Sequence, residues 1–234
     1  MRRFSDAIVV LILLILAIIL YQEAPSHSPI SLVDISPLAI AEPVSKFEKG
    51  EGPNLALASG PLTSVHWWRE GISAKPNAAA APDGTMTADR LVETGDFGRH
   101  RAGTSLTGTD AGEVSTLSLY VKAAERRVIQ MEMADRSTGK YGLALFDLDR
   151  KAVVTEVRDV TDAGMEELPG GWFRCWVAMP FATNSITFNF ALSDMDAPSL
   201  YRGNTADGLL VWGVQFEAGN RPREYAGPKT VKQP

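Results

Sequence analysis

The sequence predicts an all-β sandwich, and three observations lead to that class. Stretches of period-two alternation recur from about residue 54 onward. Gly, Pro and Asp punctuate them at regular spacing, as turns between short strands do. After residue 50 there is no amphipathic helical pattern and no repeat of fixed period.

The elements follow in order. Arg2 and Arg3 precede an uncharged run from Ala7 to Gln22, dominated by Ile and Leu up to Tyr21. A full span needs about 20 apolar residues, so Ser5 and Tyr21 must extend it into the interfaces. The rival reading is a signal peptide, which needs small residues just after the run. Leu20, Tyr21, Gln22 and Glu23 fit that poorly, so residues 1–22 are read as a membrane anchor. The two arginines keep the N-terminus cytoplasmic and send the rest to the periplasm or exterior, as a single-pass membrane protein. Residues 23–50 read as a Pro- and Ser-containing tether, broken at Pro25, Pro29, Pro37 and Pro43. Its apolar residues between Ile30 and Ile40 suit a contact with the domain or with another protein.

Residues 51–230 form the domain, and 231–234 a tail. Asn54–Leu57 reads as an opening strand. Trp67 and Trp68 are adjacent, so on a strand they face opposite ways and one ring belongs to the core. Pro82-Asp83-Gly84 is a turn: Pro fixes φ and Gly accepts a positive one. Strands are then read at Thr87–Leu91, Ser115–Lys122, Val128–Met133, Tyr141–Asp147, Val153–Val157, Trp172–Met179 and Ile186–Leu192. Asp149-Arg150 and Pro169-Gly170-Gly171 are breaks. The last long strand, Gly208–Glu217, is apolar on both alternating sets, so both of its faces are covered and it is central in its sheet.

Three segments in this order carry a resemblance. They are Ala81-Pro82-Asp83-Gly84-Thr85 through Leu91; Ser118-Leu119-Tyr120-Val121-Lys122-Ala123; and Gly171-Trp172-Phe173-Arg174-Cys175 followed by Leu210 through Gly219. Together they resemble the jelly-roll module of phage tail and bacterial surface proteins, which is similar to carbohydrate-binding-module-like and galactose-binding-like domains. The family pattern usually has Tyr where Phe173 stands. The resemblance covers roughly residues 54 to 228 and implies a jelly-roll β-sandwich. It brings carbohydrate binding only by analogy, and no catalytic residues.

The most informative strand is Trp172–Met179. Alternation puts Phe173, Cys175, Val177 and Met179 on a core face, and Trp172, Arg174 and Trp176 on the other. Two indoles flanking a guanidinium suit a sugar, whose C–H face stacks on rings and whose hydroxyls accept from Arg. Tyr120, Lys122, Gln130 and Asn189 fall on polar faces of neighbouring strands, and with these three they would make a concave, wet binding sheet. The plainer reading packs both indoles under a loop or the tether and pairs Arg174 with an acid.

Other candidates carry less. His66, His100 and Cys175 match no zinc spacing, and Cys175 falls on the apolar face. Asp147/Asp149 and Asp194/Asp196 would suit Ca²⁺ or a glycosidase pair, though Asp-rich turns exist for backbone reasons alone. No cofactor is expected beyond that possible Ca²⁺. HExxH, GxSxG, P-loop and GxGxxG sequences are absent. The formal charge of -5 carries no basic excess for nucleic acid. One cysteine rules out an intrachain disulfide.

The leading expectation is therefore a non-catalytic, membrane-tethered, extracytoplasmic binder of an envelope polysaccharide, exopolysaccharide or other glycan. The alternatives are an accessory subunit docking a protein partner through the sandwich face or tether, and a polysaccharide lyase or hydrolase.

Overall fold

The computed structural model describes residue 54 and residues 61–107, 113–181, 185–193 and 200–227. The expected anchor and tether, most of the Asn54–Leu57 strand and the Asp194/Asp196 pair lie outside the described residues. Among the described residues, no helix is long and apolar enough to cross a membrane.

The chain forms strands β1 (Trp68–Glu70), β2 (Ile72–Ala79), β3 (Ala88–Glu93), β4 (Phe97–Gly98), β5 (Arg101–Thr107), β6 (Val114–Ala123) and β7 (Val128–Asp135). These continue with β8 (Tyr141–Asp147), β9 (Ala152–Arg158), β10 (Asp162–Leu168), β11 (Trp172–Pro180), β12 (Ser185–Ser193), β13 (Tyr201–Arg202) and β14 (Gly208–Ala218). The helical element among the described residues is a single 3₁₀ turn at Pro169–Gly171, the break expected there.

Two six-stranded antiparallel sheets face each other, ordered β1-β5-β12-β7-β8-β9 and β10-β11-β6-β14-β3-β2. Take β3, β5, β6, β7, β8, β11, β12 and β14 as successive strands. The sheets then read first-eighth-third-sixth and second-seventh-fourth-fifth, the interleaved order of a jelly roll. The sandwich expected from the alternation is therefore present, and β14 is an interior strand between β6 and β3.

Alternation explains the core. Leu117, Leu119 and Val121 of β6, Ile129, Met131 and Met133 of β7, Phe173, Cys175 and Val177 of β11, and Phe188 and Phe190 of β12 all point between the sheets. Phe188 stacks on Phe216 of the opposing sheet, 5.9 Å between centroids. Trp67 packs on Phe188 and Phe190 in the core, while the adjacent Trp68 lies outside. Burial pushes the Cys175 thiol well above its ordinary value, which makes it an inert core group.

One feature of β14 departs from simple alternation. Tyr120 pairs Trp212 and Ser118 pairs Gln215, so β14 holds one extra residue there. The extra residue is a β-bulge at Gly213, whose φ is +62. The bulge reverses the parity of the strand. Leu209 and Val211 face the core before it, and Val214 and Phe216 after it. Apolar residues on both alternating sets thus partly reflect one core face read in two phases.

Candidate functional site

The strand registers place each expected site residue. On the outer face of the β14 sheet, Arg174 pairs Tyr120, and Tyr120 pairs Trp212. Beside that row, Trp172 pairs Lys122, and on its other side Trp176 pairs Ser118. Trp172, Arg174, Trp176, Tyr120 and Lys122 therefore share one face. Gln130 and Asn189 do not: they lie on β7 and β12, in the opposite sheet. The single concave surface drawn from all seven is not formed, because β6 and β11 belong to one sheet and β7 and β12 to the other.

The row flanking Arg174 is also largely covered. Trp172 is 3% exposed, in an apolar cluster with Ala81, Ala88 and Tyr120 against which Leu168, Leu210, Trp212 and Tyr225 pack. Arg174 is 7% exposed and donates from Nη2 to Ser118 Oγ at 3.1 Å. Its guanidinium lies over the Tyr120 ring, 5.1 Å from the centroid. The plainer sequence reading paired Arg174 with an acid, whereas a hydroxyl and a ring take that place. Trp176 is half-buried and lies flat on Gly164, where a Cβ would stand 2.2 Å from the indole. Its Nε1 donates to Asp162 at 3.0 Å, and Arg221 sits over the ring.

On the opposite sheet, Asn189 hydrogen-bonds the buried Glu132. Burial raises the Glu132 pKa above the ordinary carboxylate value, with the Arg101 charge, the Asn189 bond and the Arg99 charge opposing it. Trp68 lies over Gly103 on the same outer face, beside Asn189, with Arg101 over its ring. His100 is buried between the Gly71 and Tyr201 carbonyls, with no partner from the Arg174 row. Among the described residues, no three His, Cys, Asp or Glu side chains come together as a metal site. Asp147 accepts from the N–H groups of Asp149 and Arg150, closing the turn expected there.

The open hollow lies next to the bulge. A pocket of about 370 Å³ is lined by Trp212, Tyr225, Asn77, Asp83, Thr85, Thr87 and Asp89, with Leu62, Val211 and Val214 as apolar wall. Its size falls within the roughly 300–1,000 Å³ usual for small-molecule sites. Three parts of the chain build it. The Pro82-Asp83-Gly84 turn holds Thr85 through Asp83 Oδ1, which takes the Thr85 N–H at 2.9 Å and its hydroxyl at 2.7 Å. Trp212 reaches out from β14 and donates Nε1 to Thr87 at 2.9 Å. Tyr225 arrives from the segment after β14 and packs on Trp212, 4.5 Å between centroids, with Tyr120 edge-on to both.

That last segment is clamped. Arg223 ion-pairs Glu217 at 2.8 Å, and Gln215 bonds the Glu224 carbonyl and the Ala226 N–H. Asn54 donates to the Val214 and Ala226 carbonyls and accepts from the Phe216 N–H. Burial, with Tyr120 and Asp83 nearby, pushes the Tyr225 phenol up to about 12, so at neutral pH it is a hydroxyl donor. None of the hydrogen bonds of the described residues uses that hydroxyl, the Asn77 side-chain amide or Asp83 Oδ2. Two ring systems and several unspent polar groups thus converge on one hollow. Of its lining, Pro61, Leu62, Asn77, Tyr225 and Gly227 lie outside the segments singled out in the sequence. The parity reversal around Gly213 was the signal that Trp212 turns outward.

No protein-family model matches the chain, and no curated protein matches it. Solved structures similar to it are mainly carbohydrate-binding modules of β-sandwich fold. The CBM22-1 xylan-binding domain of Paenibacillus barcinonensis Xyn10C is 13% identical, covering 75% of this chain and 97% of that one, with a TM-score of 0.39. TmCBM61, solved in complex with beta-1,4-galactotriose, is 10% identical over 75% of this chain and 100% of that one, with a TM-score of 0.38. The enzymatically active domain of bacteriophage CBA120 tailspike protein 4 is 12% identical over 71% of this chain, with a TM-score of 0.41. This chain spans 21% of the tailspike chain.

Proposed function

We propose that this chain is a non-catalytic glycan-binding module whose ligand enters the pocket beside Trp212. The pocket carries the reading: an indole and a phenol for the C–H face of a sugar, with hydroxyl, amide and carboxylate groups around them for its hydroxyls. The test is affinity electrophoresis of the full-length chain, kept in a non-glycosidic detergent, through gels containing a panel of polysaccharides. At least one gel is expected to retard it. Trp212→Ala is expected to weaken that retention by about 2 kcal/mol, roughly 30-fold, as loss of a central aromatic contact does. Trp176→Ala, outside the pocket lining, is expected to leave it unchanged. Retention that falls with Trp176→Ala and not with Trp212→Ala would move the site to the Arg174 row; no retention in any gel would end the glycan reading.

The proposal includes a membrane anchor at residues 7–21 with the domain exported. It is supported by the uncharged apolar run and by Arg2 and Arg3 before it. Membranes washed with alkaline carbonate are expected to keep the chain. A shorter chain released into the soluble fraction would instead identify the run as a cleaved signal.

A further inference from the structure

The charge around the pocket says more about the ligand. Its described lining contains two carboxylates, Asp83 and Asp89, and no Lys, Arg or His. Asp89 is 4% exposed, yet no ion pair of the described residues includes it or Asp83. It is held instead by the N–H groups of Leu62 at 2.7 Å and Asn77 at 3.2 Å, one on each oxygen. A buried carboxylate normally has a cation beside it, because desolvation penalises the unpaired charge. Asp83 stands at the exposed mouth with Oδ1 committed to Thr85 and Oδ2 bonded to nothing within the described chain. Trp212 and Tyr225 add two ring systems to the same wall. The combined potential attracts an organic cation and opposes a carboxylate or sulfate. Ca²⁺ fits poorly, since it takes six to eight oxygens and the described lining brings two carboxylates.

We infer that the pocket selects a glycan bearing a protonated primary amine, a de-N-acetylated amino sugar, whose ammonium sits between the two aspartates and the Trp212–Tyr225 wall. The ammonium carries three donors, which suit two carboxylates and a hydroxyl. This inference rests on the pocket being the glycan site.

The probes are β-1,4-linked glucosamine oligomers, their fully N-acetylated counterparts, and oligogalacturonate, titrated calorimetrically into the full-length chain in the same detergent. The glucosamine oligomer is expected to bind at least tenfold more tightly than the acetylated one, and the galacturonate not at all. Asp83→Asn keeps an acceptor for Thr85 and removes the charge. It is expected to lower glucosamine-oligomer affinity by about tenfold, the usual loss for a charge-assisted bond, and to bring the two oligomers near parity. Equal or tighter binding of the acetylated or acidic oligomer overturns the amine inference and leaves glycan binding standing. Glucosamine-oligomer binding that Asp83→Asn does not change overturns it too, by reducing the attraction to the chain's overall negative charge. If no glycan binds, both readings fall together.

Discussion

Glu93→Gln is expected to lower the unfolding free energy by about 3–5 kcal/mol, the usual loss when a buried ion pair is broken from one side. The Glu93 side chain is fully buried at the end of β3. Arg126 grips it with Nε at 2.6 Å and Nη2 at 3.0 Å, Tyr201 donates its hydroxyl, and the Asn204 N–H donates at 2.8 Å. The Arg126 guanidinium also lies over the Tyr201 ring, 4.9 Å from its centroid. One carboxylate thus ties β3 to the β6–β7 connection, to β13 and to the loop before β14. Arg126→Met should cost a similar amount, since it strands the carboxylate.

The same network sets a dependence on acidity. Burial alone would raise the Glu93 pKa, but the Arg126, Tyr201 and Asn204 hydrogen bonds outweigh it and hold the group below its ordinary value. A carboxyl lowered in the folded state stabilises above its unfolded pKa, about 4.3, and that contribution is lost as pH falls through the lower folded value. The parent should therefore lose stability on acidification below about pH 4 more steeply than Glu93→Gln does. Urea unfolding of both proteins across that range decides the matter. A Glu93→Gln loss under about 1 kcal/mol at neutral pH would show the network to be energetically minor.

Gly213→Val is expected to cost roughly 2–5 kcal/mol and to abolish retention on the glycan gels. Two effects add. The φ of +62 at Gly213 strains any side chain, most of all a β-branched one. A Cβ there would also stand 2.9 Å from the Tyr120 ring and 3.2 Å from that of Tyr225, so one or both rings must move. Those rings hold the wall that Trp212 completes. Gly213→Asn separates the two effects, since Asn tolerates left-handed backbone but still displaces the rings. It should keep more stability than Val and lose binding all the same. A Gly213→Val protein with parental stability and parental retention would refute the role given to the bulge.

The architecture was legible wherever a strand alternates cleanly. Leu117, Leu119 and Val121, or Ile129, Met131 and Met133, declare their face by residue type alone. Strands without that contrast were not legible. Ile72–Ala79 holds Pro76 and one buried apolar residue, and is a strand because β3 pairs with it at the sheet edge. Asp162–Leu168 is another edge strand, with no buried residue. Arg101–Thr107 has small residues at Ala102, Gly103, Thr104 and Ser105, and Trp68 rests on Gly103. The pairing of Trp172 with Arg174 and Trp176 on one face was read correctly from parity. Their covering was the plainer of the two readings, but its source was not legible, because Tyr225, Gly164 and Arg221 come from other parts of the chain. The pocket was hidden for the same reason: it joins a turn near residue 83, a bulge at 213 and a phenol beyond the last strand.

Asn54 binds both Val214 and Ala226, so it joins the end of β14 to the segment that follows, beside the pocket. A ligand pulled away from a chain held upstream of Asn54 would load a very short mechanical path. Tension would pass from Asn54 to the Val214 and Ala226 carbonyls, next to residues that line the pocket.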